Sequence, residues 1–144
     1  THRFIEHGVS EDRLILEGWS PRNKLLESYH RVDITLDPFP YPGGTTSAES
    51  LWMGVPVLTM SGKDFLSRVG ESVLTNAGLP EWIAQDENDY IKKAVDYASE
   101  SQRLSSLRLD LRSQVLRSPL FDAPRFARDF EAEVTKMWNA FCSK

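Results

Sequence analysis

The sequence predicts one α/β domain in which parallel β-strands alternate with helices, followed by a helical C-terminal segment. Three observations lead to this class. Helical patterns and apolar runs alternate over the first part of the chain, the runs are only three to six residues long, and from Glu87 onward the pattern is helical alone. We therefore expect parallel βαβ units with helices on both faces of the sheet.

The N-terminal part contains two predicted helices and two predicted strands. The stretch RFIEHG reads as the end of a helix, with Gly8 as its C-terminal stop. A short strand follows over Leu14–Leu16. Ser20 and Pro21 supply an N-cap and a first-turn proline for the next helix, and a second strand covers Val32–Leu36.

The remaining elements follow from apolar periodicity and glycine stops. Thr45 or Thr46 is expected to cap a helix that runs to about Met53. A third strand covers VPVLTM, and a helix from Phe65 to Ala77 ends at Gly78. Three more helices carry apolar stripes: Tyr90, Ile91, Ala94, Val95 and Ala98; Leu104, Leu107, Leu111 and Val115; and Phe126, Phe130, Val134, Met137, Trp138 and Phe141. No linker or repeat interrupts this series, so residues 1–144 are expected to form one domain.

The composition argues against several classes of function. The 144 residues carry a net charge of −4, which gives no basic footprint for nucleic acid or an anionic membrane. No apolar run approaches the ~20 residues of a membrane span, and the first residues lack the pattern of a signal peptide. Cys142 is the lone cysteine, so no internal disulfide is expected and the cytoplasm is the expected compartment. The chain does not begin with methionine, which indicates a piece of a longer protein.

The stretch DPFPYPGGTTSAESLWMGVPV, from Asp37 to Val57, indicates a ligand at a helix N-terminus. It follows a predicted strand, and ligands of open α/β sheets bind beyond the carboxyl ends of strands. Gly43 and Gly44 can adopt positive φ and lack side-chain bulk, which allows an anion to approach the backbone. The next N–H groups, the helix dipole and the hydroxyls of Thr45 and Thr46 all favour a phosphate.

Glu49 extends this reading from a phosphate to a nucleotide. It lies four residues after Thr45, one turn into the helix on the same face, where its carboxylate can accept both hydroxyls of a ribose. The spacing alone leaves a plainer alternative equally open. In that alternative Gly43 and Gly44 form only a turn, Thr45 is an ordinary N-cap and Glu49 is a solvated helix charge.

Three stretches together resemble a known family: DPFPYPGGTTSAESLWMGVPVLTMSG, SRVGESVLTNAGLPEWIA and SPLFDAPRFARDFEAEVTKMW. They are similar to the C-terminal half of the O-linked N-acetylglucosamine transferases. The plant Spindly-type protein O-fucosyltransferases and bacterial tetratricopeptide-linked homologues belong to the same group. The resemblance implies a GT-B fold of two Rossmann-like halves, of which the C-terminal half binds a nucleotide-diphosphate-sugar donor without a metal ion or other cofactor. It implies transfer of a sugar, N-acetylglucosamine being the expected one, to Ser or Thr of an acceptor protein.

The resemblance also assigns roles to single residues. Thr45 and Thr46 match phosphate contacts, and Glu49 matches an acidic ribose ligand. Arg22, or as second choice Lys24, matches a basic residue that contacts the base. Gly44 and Leu25 stand where the family often has histidine, which removes two expected contacts. Arg68 either faces the diphosphate or braces its loop.

The resemblance places the catalytic histidine, and tetratricopeptide repeats, upstream of this chain. Residues 1–144 are then part of the donor-binding domain, no catalytic residue lies among them, and the chain alone is expected to be inactive. The first strands of the sheet would be missing too, which leaves an edge that could pair with a second copy. The alternative is a non-catalytic protein-interaction module derived from such a transferase.

Overall fold

A three-stranded parallel sheet organises the structure, a computed structural model that describes residues 2–143. The strands, in spatial order, are β1 (Thr35–Leu36), β2 (Val57–Met60) and β3 (Ile83–Ala84). Thr35 lies opposite Val57 and Thr59 lies opposite Ile83 in the two parallel pairings. Each strand is followed by a helix, as parallel connections require.

The helices of the described residues are α1 (His2–Glu6), α2 (Arg22–Ser28), α3 (Thr45–Trp52), α4 (Val69–Ala77), α5 (Glu87–Ser99), α6 (Ser101–Leu116) and α7 (Ala123–Cys142). Gly8, Gly54 and Gly78 have φ of 81°, 76° and 76°, and each lies where a helix was expected to stop. This left-handed conformation costs glycine little, which explains why the chain can turn sharply there.

Helices cover both faces of the sheet. Successive side chains of a strand point to opposite faces, and Val57, Leu58 and Thr59 are all fully buried. The core around β2 draws on α3, α4, α6 and β3, and consists of Leu51, Val57, Leu58, Leu74, Ala77, Leu79, Trp82, Ile83, Leu104, Leu111 and Val115. The expected α/β class, a parallel sheet flanked by helices with a helical C-terminal segment, is confirmed.

Several predicted elements differ from the structure. Leu14–Leu16 is not a strand, and Ile15 is 76% exposed; a strand needs a hydrogen-bonded neighbour, and the described sheet offers none beside it. The strand expected over Val32–Leu36 is reduced to β1. The helix expected from Phe65 begins as a 3₁₀ turn at Leu66–Arg68 before α4. The strand β3 was not predicted.

The last helix, α7, buries none of its residues. Its predicted apolar stripe is present but exposed, from Phe126 at 69% to Phe141 at 72%. Asp122 begins the helix by accepting a hydrogen bond from the N–H of Arg125 at 3.0 Å. None of the helices within residues 2–143 combines the length and the apolar character needed to cross a bilayer.

Candidate functional site

Two loops meet at the carboxyl edge of the sheet. Residues 37–44 connect β1 to α3, and residues 61–68 connect β2 to α4. Since the strands are parallel and adjacent, both loops leave the sheet on the same side. The geometry therefore places the stretch singled out in the sequence at the position where open α/β sheets bind ligands.

Asp37 holds the first loop in place. Asp37 is 3% exposed, and its carboxylate accepts hydrogen bonds from Gly43 N–H (2.7 Å), Ser47 Oγ (3.2 Å) and Thr59 Oγ1 (3.0 Å). Burial raises the pKa of Asp37, and these three hydrogen bonds oppose the rise. The hydroxyl of Tyr90 in α5 donates to the Asp37 carbonyl at 2.9 Å. A single residue thus joins β1 to β2, α3 and α5.

The two adjacent glycines differ in their surroundings. A Cβ at Gly43 would lie 2.5 Å from Ser47 Oγ and 3.0 Å from Asp37 Oδ1, so the loop has no room for a side chain there. A Cβ at Gly44 would meet no atom within 4 Å. Neither glycine has positive φ, and that expectation was wrong. The loop requires glycine at position 43 because there is no room for a side chain, and not because of the backbone conformation.

The N-terminus of α3 is open to solvent. Gly44 is its N-cap, and among residues 2–143 no side chain caps it. The expectation that Thr45 or Thr46 caps the helix was therefore wrong; Thr45 is its first helical residue, and both threonines are exposed. The first N–H groups of a helix have no intrahelical acceptor. Thr45 and Thr46 thus present unoccupied backbone donors and two hydroxyls, and the helix dipole adds positive potential.

Glu49 and Arg22 bind each other. The Glu49 side chain is only 13% exposed, and its Oε1 lies 2.8 Å from Nη2 of Arg22, whose side chain is 73% exposed. The hydroxyl of Tyr29 donates to the Thr46 carbonyl at 3.3 Å. Burial, and then the charge of Glu49, raise the pKa of Tyr29, which keeps this donor protonated. The start of α2 and its following turn therefore lie against the first turns of α3.

Among residues 2–143, neither Lys24 nor Arg68 forms a hydrogen bond or an ion pair with this group. Lys24 lines a groove with Trp19, Glu17 and Arg31. Arg68 donates from Nε and Nη2 to the two carboxylate oxygens of Glu71, at 3.0 and 3.1 Å. Glu71 also accepts from Ser61 Oγ at 2.6 Å, directly after β2. These contacts are those of a residue that braces the second loop, which is the second of the two roles weighed from the sequence.

Sequence reasoning missed Asp37, Tyr29 and Tyr90. Asp37 had a signal, since an acidic residue directly after a buried strand and before two glycines lies at the carboxyl edge of the sheet. The two tyrosines had none, because their hydrogen bonds reach 17 and 53 residues along the chain. Burial, and then the charge of Asp37, raise the pKa of Tyr90 to about 12. The Tyr90 hydroxyl therefore stays a donor at neutral pH.

Known proteins are similar to this chain in sequence. A protein named as a probable UDP-N-acetylglucosamine–peptide N-acetylglucosaminyltransferase SPINDLY, from Eustoma exaltatum subsp. russellianum, is 45% identical over 117 residues, 81% of this chain and 13% of its own length. The UDP-N-acetylglucosamine–peptide N-acetylglucosaminyltransferase of Caenorhabditis elegans is 27% identical over 137 residues, 95% of this chain and 12% of its own length. The chain thus spans about an eighth of these relatives.

A solved structure and a family model agree with the relatives. A mutant form of the Thermobaculum terrenum O-GlcNAc transferase matches with a TM-score of 0.90 and 35% identity, over 99% of this chain and 27% of that one. This likeness confirms the Rossmann-like fold. The model of glycosyl transferase family 41 matches residues 1–130. With nine-tenths of its length matched, the chain belongs to glycosyl transferase family 41.

Proposed function

We propose that this chain is the donor-binding part of a cytoplasmic, inverting, metal-independent glycosyltransferase that transfers N-acetylglucosamine to Ser or Thr of proteins. The observation that carries the proposal is the open N-terminus of α3, formed by an intact GGTTSAES stretch in a member of family 41. The names of the relatives, which state a UDP-N-acetylglucosamine donor and a peptide acceptor, support it. Catalytic residues would come from a part of the protein outside this chain.

The diphosphate of the donor would lie on the first turn of α3. The N–H groups and hydroxyls of Thr45 and Thr46 would donate to it, and Gly43 and Gly44 would allow close approach. Negative charge develops on the leaving diphosphate during transfer, so preorganised donors stabilise the transition state more than the ground state. Glu49 would accept the ribose hydroxyls, and Arg22 or Lys24 would lie toward the base.

Calorimetric titration with UDP, GDP and inorganic pyrophosphate tests this proposal. The double variant Thr45→Val/Thr46→Val should lose on the order of a hundredfold in affinity for all three, since each hydroxyl would form a hydrogen bond to a charged group. Because neither threonine caps α3, the melting temperature should not change. Thr135→Val, an exposed threonine of α7, is the matched control and should bind like the wild type.

The titration also separates the transferase part from a non-catalytic interaction module. Gly44 and Leu25, at two positions where the family resemblance expects histidine, favour the module. A module should bind neither UDP nor GDP. Unchanged affinity in the double threonine variant would instead indicate that the phosphate does not bind at the N-terminus of α3. The preferred base, uridine or guanosine, follows from the same titration.

A further inference from the structure

The contact between Arg22 and Glu49 joins two residues that were assigned separately to the base and the ribose. Arg22 begins α2, Glu49 lies in α3, and their Nη2 and Oε1 atoms are 2.8 Å apart. Among residues 2–143 no other side chain bonds to Glu49. The Glu49 carboxylate therefore keeps one oxygen without a protein partner, while the other is held by a cation.

The position of Glu49 creates an electrostatic conflict that Arg22 resolves. Glu49 lies one turn after Thr45, near the helix end proposed for the diphosphate, and is largely buried at 13% exposure. A second carboxylate, Asp37, lies beneath the same loop, and the nearby Tyr29 is neutral. An unpaired Glu49 would repel a diphosphate, because partial burial reduces the screening of its charge.

We propose that Arg22 is a positioning residue, which neutralises and orients Glu49 so that an acid can hold a ribose beside a diphosphate. This inference rests on the proposed function. It replaces the role of Arg22 as a base contact: the guanidinium holds one oxygen of Glu49, and the other is directed to a ribose hydroxyl. Arg22 thus acts on the nucleotide through Glu49.

The test is a set of variants titrated with inorganic pyrophosphate, UDP and 2′-deoxy-UDP. Arg22→Gln should weaken pyrophosphate about three- to tenfold, the size expected from one unpaired charge in partly screened surroundings. Glu49→Gln should leave pyrophosphate unchanged or tighter, and Arg22→Gln/Glu49→Gln should return to within about twofold of Glu49→Gln alone. The loss in Arg22→Gln should shrink in high salt, because salt weakens the repulsion between the unpaired Glu49 carboxylate and pyrophosphate.

The ribose readout is independent of the phosphate readout. The ratio of UDP to 2′-deoxy-UDP affinity should fall toward one in Glu49→Gln and should also fall in Arg22→Gln. Arg22→Lys keeps the charge and should retain the pyrophosphate affinity of the wild type. Arg31→Gln removes a surface cation that pairs with Glu17, and this matched control should change neither ligand. Circular dichroism of each variant confirms that it is folded.

Three outcomes distinguish the hypotheses. If Arg22→Gln weakens UDP, leaves pyrophosphate unchanged and adds independently to Glu49→Gln, Arg22 contacts the base and the positioning role is wrong. If the wild type binds UDP but neither variant alters the deoxy ratio, the role of both residues is overturned while the proposed function stands. A wild type that binds neither UDP nor GDP overturns the proposed function together with this inference.

Discussion

One methyl group at Gly43 should damage the loop, whereas the same group at Gly44 should not. A Cβ at Gly43 would lie 2.5 Å from Ser47 Oγ, 2.6 Å from Thr46 Oγ1 and 3.0 Å from Asp37 Oδ1. The exposed hydroxyl of Thr46 can rotate away. Ser47 and Asp37 are 2% and 3% exposed and are bound to each other, so they cannot.

The cost of Gly43→Ala follows from these contacts. Forcing a methyl group into a packed site costs about 1–3 kcal/mol. If the loop moves instead, the Gly43 N–H leaves Asp37 Oδ1, and losing a hydrogen bond to a charged group costs about 1.5–3 kcal/mol. Alanine also restricts the unfolded chain more than glycine does, which offsets about 0.4–1 kcal/mol of this loss of stability. In either case the free energy of unfolding should fall by about 0.5–2.5 kcal/mol, and the melting temperature should fall by roughly 4 °C for each kcal/mol lost.

Gly44→Ala is the matched control, because a Cβ there meets no atom within 4 Å and φ is −113°. Alanine at position 44 then acts only by restricting the unfolded chain, so the free energy of unfolding should stay within about 1 kcal/mol of the wild type. Thermal unfolding and urea titration of both variants measure the difference. Equal stabilities for the two variants would refute the packing around Asp37 on which this argument depends.

Three further predictions concern residues around the loops, and a fourth concerns the chain as a whole. The folded pKa of Asp37 is raised, so as pH rises from about 4 through that raised value, ionisation of Asp37 should lower the free energy of unfolding, and Asp37→Asn should remove this part of the pH profile. Tyr90→Phe leaves the Asp37 carbonyl without its donor and should cost about 0.5–1.5 kcal/mol in urea unfolding. Arg68→Gln should change pyrophosphate affinity less than about threefold by calorimetry, since Glu71 already binds both guanidinium edges; a larger loss would assign Arg68 to the diphosphate. The purified chain should transfer no sugar, because it spans 27% of the solved transferase chain it matches, and transfer above a buffer blank in a radiolabelled-donor assay would contradict this.

Features with local causes could be predicted from the sequence. Gly54 and Gly78 end α3 and α4 because a left-handed residue is needed directly after a helix, and glycine adopts it without strain. The candidate site could be proposed from the sequence for a similar reason: the glycines, threonines and Glu49 lie within one turn of one helix end. The family resemblance rests on the same continuous stretch.

Features with distant causes could not be predicted. Leu14–Leu16 has the composition of a strand, but a strand exists only where another strand pairs with it. Asp37 acquires its role from Thr59 and Tyr90, which lie 22 and 53 residues away in sequence. The pairing of Arg22 with Glu49 likewise depends on where the fold places the start of α2 relative to α3. Arg22 and Glu49 could each be selected from the sequence by residue type, but their contact is visible only in the folded structure.

The exposure of α7 has a consequence for the cooperativity of unfolding. A helix of 20 residues with no buried side chain is held by its own backbone hydrogen bonds and by the Asp122 cap. Such a helix is only marginally stable in water. The amides of β2 lie in the core and should exchange with solvent only through global opening. Hydrogen exchange should therefore separate α7 from the sheet by several orders of magnitude. Thermal unfolding of this chain should show two transitions. The helical circular-dichroism signal should decline before Trp82, which is buried in the core, becomes exposed.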